Sequence, residues 1–70
     1  MTERLFQKFK AELDSLFFNY LMDYEQFREN GEKVLDEAIN HPEMGSAELL
    51  ALVLIYEDMR TYMQAAFMED

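Results

Sequence analysis

The feature that most constrains the fold is an unbroken apolar run near the carboxyl end, Leu49-Leu50-Ala51-Leu52-Val53-Leu54-Ile55-Tyr56. In a helix these side chains point in every direction, and a helix that is apolar all round is buried on every side. The rest of a 70-residue chain can hardly enclose such a helix, so the run predicts a symmetric dimer. The alternative is the central helix of a tight monomer. The predicted dimer interface consists of Leu49, Leu50, Leu52, Val53, Leu54 and Tyr56.

The small size of the chain also favours self-association. A domain of this length buries only about 60% of the surface that its unfolded chain exposes. The chain has no cysteine, so disulfides cannot supply the missing stability. Half of the residues are hydrophobic, including 6 Phe and 4 Tyr, which argues against disorder. We therefore expect one folded domain over residues 1–70, supported by a second subunit.

Apolar residues recur at helical spacing through the first half of the chain. They are separated by three or four residues, at Phe6, Phe9, Leu13, Leu16, Tyr20, Tyr24 and Phe27. This period is typical of an amphipathic helix, and no alternation of the strand type competes with it. The sequence predicts an all-α fold, a helical hairpin or three-helix protein that assembles as a dimeric bundle. The helices are expected at about residues 2–30, 32–40 and 47–67.

Two boundaries in this scheme depend on glycine and proline. Asn30-Gly31 is typical of a helix end, and we predict a break or kink there. The alternative is that the apolar stripe continues through Gly31, whose missing side chain would permit close helix packing. Pro42 requires the second helix to end before it, because a residue that precedes proline is disfavoured in the α region.

A second apolar patch lies on the first predicted helix, opposite its main stripe. Phe18 and Met22 are four residues apart, so they share a face where a monomer would carry polar side chains. An exposed apolar patch indicates a contact surface. It is either the dimer seam or a site for a different protein.

A row of carboxylates follows this patch. In a helix over residues 24–40, Glu25, Glu29, Glu32 and Asp36 fall on one face at steps of four, three and four. Successive carboxylates then stand about 5–6 Å apart, a spacing similar to that of phosphates along a nucleic-acid strand. We call these four residues the carboxylate ridge. It predicts a partner whose basic surface normally holds phosphates.

The ridge also has a plainer interpretation as an ordinary solvated helix face. Glu29–Lys33, Lys33–Glu37 and Arg28–Glu32 are spaced as i,i+4 ion pairs, each worth a few tenths of a kcal/mol. These two cations do not neutralise the acids around them. The sequence leaves both interpretations open.

Composition argues against several classes of function. With one His and no Cys, the chain has few groups for catalysis, and we expect no enzyme activity, metal or cofactor. A net charge of −9 repels phosphate, so direct nucleic-acid binding is not expected. No apolar segment approaches the length of a membrane span, and no secretory signal is recognisable. A cytoplasmic location is the expectation.

The function predicted from these features is that of a small acidic helical protein that binds and modulates or inhibits another protein. The carboxylate ridge would enter a basic nucleic-acid-binding surface as a DNA mimic, and Phe18 and Met22 would anchor it. The alternative is a structural or assembly subunit. Its apolar helix faces would serve self-association or a hetero-complex, and its charge would only confer solubility.

Overall fold

The chain forms a bundle of three helices. The computed structural model describes the backbone of residues 2–67 and the side chains of residues 4–66. Helix α1 spans Thr2–Asn19, α2 spans Tyr24–Ile39 and α3 spans Ser46–Phe67. Each helix packs against the other two, and the part of the chain that is described contains no strand. The prediction of an all-α, three-helix fold is confirmed.

Helices α2 and α3 run antiparallel. Tyr24, at the start of α2, accepts a hydrogen bond from Arg60 near the end of α3, with 3.0 Å between Nε and the phenolic oxygen. Tyr56, one turn earlier in α3, donates from its hydroxyl to the Arg28 carbonyl, one turn later in α2, at 3.1 Å. The bundle is elongated, with extents of 42 × 18 × 16 Å.

The core is built from residues that all three helices contribute. Helices α1 and α2 are amphipathic, and their apolar stripes meet one side of the largely apolar α3 along the axis of the bundle. Aromatic rings fill much of the space, and the ring centroids of Phe17 and Phe27 lie 6.0 Å apart in an edge-to-face arrangement. The buried apolar residues are Phe9, Leu13, Phe27, Val34, Ala38, Leu52, Tyr56 and Met63.

The predicted first helix over residues 2–30 is wrong, because a turn at residues 20–23 separates α1 from α2. Asp23 caps the new helix, since its Oδ1 accepts a hydrogen bond from the backbone N–H of Gln26 at 3.2 Å, which satisfies a donor that has no partner inside the helix. The Asp23 N–H donates to the Tyr20 carbonyl at 3.0 Å and closes the turn. The apolar stripe concealed this turn because Tyr20 and Tyr24, on either side of it, both pack against the core.

The predicted break at Asn30–Gly31 is also wrong, because α2 is continuous through it. The alternative of an unbroken stripe is correct, and Gly31 is buried in line with the core residues of α2. A Cβ atom added at Gly31 would stand 3.0 Å from Cδ1 of Tyr56 and closer still to Cε1. The missing side chain therefore makes room for the ring of Tyr56 where α3 packs on α2.

The connection between α2 and α3 follows the prediction more closely. Helix α2 ends at Ile39, ahead of Pro42, as the steric restriction before proline requires. Asn40 closes the helix by donating from Nδ2 to the Asp36 carbonyl at 2.9 Å. Helix α3 begins at Ser46, one residue earlier than predicted.

Candidate protein-binding surface

The continuity of α2 places all four members of the carboxylate ridge on one helix. Glu25, Glu29, Glu32 and Asp36 are all exposed. At 1.5 Å of rise per residue, the ridge extends about 16 Å from its first to its last carboxylate residue. A single regular helix thus presents four carboxylates to solvent in a row.

The ridge residues form fewer ion pairs than their spacing to Arg28 and Lys33 predicts. Arg28 Nη1 lies 3.5 Å from Glu32 Oε2, and both side chains are well exposed, so the pair adds little stability. The predicted pairs of Lys33 with Glu29 and Glu37 do not form within 4.0 Å among the described side chains. The ridge therefore keeps most of its negative charge.

Lys33 nevertheless stands close to the ridge. It lines a shallow depression together with Glu29, Glu32 and Asp36. It also lines the groove between α1 and α2, beside Leu16 and other residues of both helices. Its side chain therefore borders both surfaces, and it provides one positive charge among several negative ones.

Phe18 and Met22 are strongly exposed, each with 82% of its surface accessible. They do not form a stripe on one helix as predicted, because Phe18 lies in the last turn of α1 and Met22 lies in the turn that follows. Met22 is three residues before Glu25, so the two Cα atoms can be at most about 11 Å apart. Met22 therefore borders the amino-terminal end of the carboxylate ridge.

The residues of the predicted dimer interface divide between the inside and the outside of the bundle. Leu52 and Tyr56 are buried between the helices of the single chain, so they cannot meet a second subunit while this fold persists. Leu49 packs partly against the same core, and Val53 is half-buried. Leu50 and Leu54 are exposed by 60% and 56%. Of the six predicted interface residues, only Leu50 and Leu54 therefore expose much of their side chains to a second subunit, with half-buried Val53 beside them.

A cluster of polar contacts that the sequence did not reveal joins α2 to α3. The guanidinium of Arg60 lies over the ring of Tyr56 at 5.6 Å and pairs with Glu57 at 3.2 Å. Its hydrogen bond to the Tyr24 hydroxyl raises the pKa of Arg60 further. Gln64 donates to the same hydroxyl at 3.3 Å. These contacts link residues 36 and 40 positions apart in sequence, which no local spacing indicates.

Tyr56 is the central residue of this helix contact. Its ring stacks on Phe27 with 5.5 Å between the centroids. Burial, and secondarily the charge of Glu32, raises the pKa of the Tyr56 hydroxyl to about 12. The neutral phenol is therefore the form that the folded chain favours.

The Tyr56 hydroxyl predicts a specific loss of stability in alkali. The unfolded chain releases this proton near pH 10 and the folded chain near pH 12, so the contribution is present below pH 10 and is lost as the pH rises from 10 to 12. Tyr56→Phe should reduce this loss, and should cost about 0.5–1.5 kcal/mol at neutral pH for the missing hydrogen bond. Thermal unfolding followed by circular dichroism from pH 8 to 12 measures both effects. Tyr62→Phe is the control, and an equal reduction in both variants would contradict the assignment to Tyr56.

The described residues contain no group of three or more metal-ligating side chains close enough to hold an ion. None of their helices is both long enough and apolar enough to cross a membrane. No protein-family model, curated protein or solved structure significantly matches the chain.

Proposed function

We propose that the chain is a non-enzymatic binding protein that acts in the cytoplasm and directs the carboxylate ridge at a basic surface of another protein. The observation that carries this proposal is the continuity of α2, which holds four exposed carboxylates in one row. Only one cation among the described residues forms an ion pair with the ridge. The ridge therefore offers a partner several negative charges on a rigid support.

A surface that normally binds nucleic acid is the best match for this row. Such a surface holds Lys and Arg at positions that neutralise successive phosphates, and carboxylates about 5–6 Å apart supply charge at a similar spacing. A net charge of −9 accelerates the approach to a basic partner. Occupation of the groove by the ridge would exclude DNA or RNA, so the expected effect on the partner is inhibition.

Phe18 and Met22 can supply the apolar contact that charged side chains do not provide. Exposed charges on the rim of an interface mainly govern the rate of association, whereas most of the affinity comes from a few buried apolar or aromatic side chains. Both residues are 82% exposed and therefore have much apolar surface to bury. We assign them the role of anchor beside the amino-terminal end of the ridge.

A variant in which three of the four ridge carboxylates are neutralised tests the proposal. We expect the triple variant Glu29→Gln, Glu32→Gln, Asp36→Asn to remain folded but to lose partners from a native cell lysate that the wild type retains. Binding to the wild type should weaken steeply between about 50 and about 200 mM salt, because counterions screen the partner surface. Single-stranded or duplex DNA added to the lysate should compete. Immobilised protein and identification of the bound proteins by mass spectrometry provide the measurement.

The control variant changes the same number of charges elsewhere. Asp14→Asn, Glu43→Gln, Asp58→Asn removes three exposed acids outside the ridge and should retain the same partners as the wild type. If both triple variants lose partners equally, net charge and not the ridge is responsible. If neither loses any, the proposal is wrong.

The assembly subunit remains the second candidate, because Leu50 and Leu54 expose apolar surface that the bundle does not use. This function predicts that captured partners resist both salt and DNA. It also predicts that they depend on the apolar face of α3 and not on the ridge. The same lysate experiment therefore separates the two functions.

A further inference from the structure

The outward face of the first half of α3 is an uncharged apolar strip. Leu50 and Leu54 are one helical turn apart and are 60% and 56% exposed, and Ala47, Ala51 and Val53 lie around them. We call these five residues the α3 strip. No charged residue occurs between Leu49 and Tyr56, and the inward side of the helix is already occupied by the core.

The distribution of charge over the chain is compatible with a second copy of the same chain against this strip. Two copies that each carry −9 repel one another wherever their acidic helix faces meet, and most strongly at the carboxylate ridge of α2. The α3 strip itself carries no charge, so two copies can approach there at a lower electrostatic cost than at the acidic helix faces. A contact of the strip with itself also satisfies two-fold symmetry, since the same patch is used on both sides.

An antiparallel arrangement adds charge complementarity. With a two-fold axis near the level of Leu52, Leu50 of one copy lies opposite Leu54 of the other. Glu57 and Asp58 then lie opposite Ala47 and Ser46 of the second copy, at the amino-terminal end of its α3. Carboxylates are stabilised there by the helix macrodipole. In a parallel pair the same carboxylates would lie side by side and repel one another.

We infer that the α3 strip is the contact between two copies of this chain, which pair with their α3 helices antiparallel. One helix face of this kind buries less than the roughly 800 Å² per partner of a standard interface. The dimer therefore forms reversibly and depends on concentration. The inference does not rest on the proposed function of the carboxylate ridge, which lies on α2 and is not part of this contact.

The mass of the full chain in solution tests the inference. Sedimentation velocity or light scattering over a dilution series should show a monomer that becomes a dimer as concentration rises. Leu50→Glu, Leu54→Glu should raise the dissociation constant at least tenfold while circular dichroism shows that the helices persist. Ala11→Glu, Ile39→Glu is the matched control, because it adds the same two charges at exposed apolar positions off the strip, and it should change the constant less than threefold. A wild type that stays monomeric at every concentration, or a larger effect of the control, would overturn the inference.

Cysteine pairs test the direction of the helices, since the chain contains no natural cysteine. Ala47→Cys and Glu57→Cys are prepared separately, mixed, and treated with a short reagent that joins two thiols. Antiparallel pairing should yield mainly the product that joins position 47 of one copy to position 57 of the other. If 47–47 and 57–57 products predominate, the helices are parallel and the proposed arrangement is wrong. The lysate experiment with the ridge variants is independent of both results.

Discussion

Leu52→Ala is expected to lower the free energy of unfolding by about 2–5 kcal/mol, whereas Leu54→Ala should change it by no more than about 0.5 kcal/mol. The two leucines lie two positions apart in α3, but Leu52 is fully buried and Leu54 is 56% exposed. Truncation of Leu52 removes apolar contacts and leaves a cavity between the helices, and both effects are unfavourable. Truncation of Leu54 removes surface that already faces water.

The effect of Leu52→Ala is large relative to the total stability of such a small domain. A chain of this length has about 4–10 kcal/mol in all, and each kcal/mol shifts the midpoint by about 4–8 °C. The melting temperature should therefore fall by at least about 8 °C, and a fraction of the molecules should be unfolded at 37 °C. Thermal and urea unfolding of both variants at low micromolar concentration measures this without a contribution from self-association.

The comparison of Leu52→Ala with Leu54→Ala can contradict the described packing of α3. Leu and Ala have similar helix propensities, so intrinsic helix stability cancels between the two variants. Equal losses, or a greater loss for Leu54→Ala, would mean that α3 presents a different face to the core. A loss for Leu54→Ala that appears only at high protein concentration would instead indicate the contact between copies.

Sequence alone predicted the fold class and the third helix well, because both depend on local signals. The helical period is clear, and Pro42 with Gly45 and Ser46 marks the loop that precedes α3. The apolar run predicts a buried helix, but its sequence does not show which side faces the core. Every position from Leu49 to Tyr56 is apolar, so hydrophobicity carries no information about which residues face α1 and α2. Only packing shows that Leu52 and Tyr56 point inward.

The turn at residues 20–23 does not follow from the apolar spacing, because the step from Tyr20 to Tyr24 fits one continuous helix. A second, local signal is present in the sequence, since Asp23 followed three residues later by Gln26 is typical of a helix start. A turn that keeps the flanking aromatic residues on the core side satisfies both.

The carboxylate ridge follows from the sequence once α2 is known to be continuous, since its spacing is fixed by the helix. The ion pairs of the ridge cannot be predicted from the sequence, because a long exposed side chain can pair with several partners at nearly equal energy. Arg28 pairs with Glu32, although Glu25 is also within reach at i,i+3. The contacts of Tyr24 with Arg60 and Gln64 join distant parts of the chain, and only the tertiary fold brings them together.

Gly31→Ala is expected to destabilise the fold by up to about 2 kcal/mol, although alanine is the better helix former. Alanine in the middle of a helix gains about 1 kcal/mol over glycine, so propensity alone predicts a more stable protein. The new Cβ would lie 3.0 Å from Cδ1 of Tyr56 and closer to Cε1. That ring cannot retreat easily, since it stacks on Phe27 and its hydroxyl is bonded to the Arg28 carbonyl. Overpacking of about 1–3 kcal/mol, together with strain on this hydrogen bond, should exceed the gain in propensity.

Gly45→Ala provides the matched control, since it adds the same atom at the other glycine of the chain. Its Cβ would meet only the carboxyl end of the Glu48 side chain, which is the far end of a long side chain and not a buried ring. The backbone of Gly45 does not have positive φ, so alanine restricts the unfolded chain and should stabilise the fold by up to about 1 kcal/mol. Urea unfolding of both variants should therefore give shifts of opposite sign. A stabilised Gly31→Ala would show that the ring of Tyr56 moves freely and that close packing at Gly31 does not hold α2 against α3.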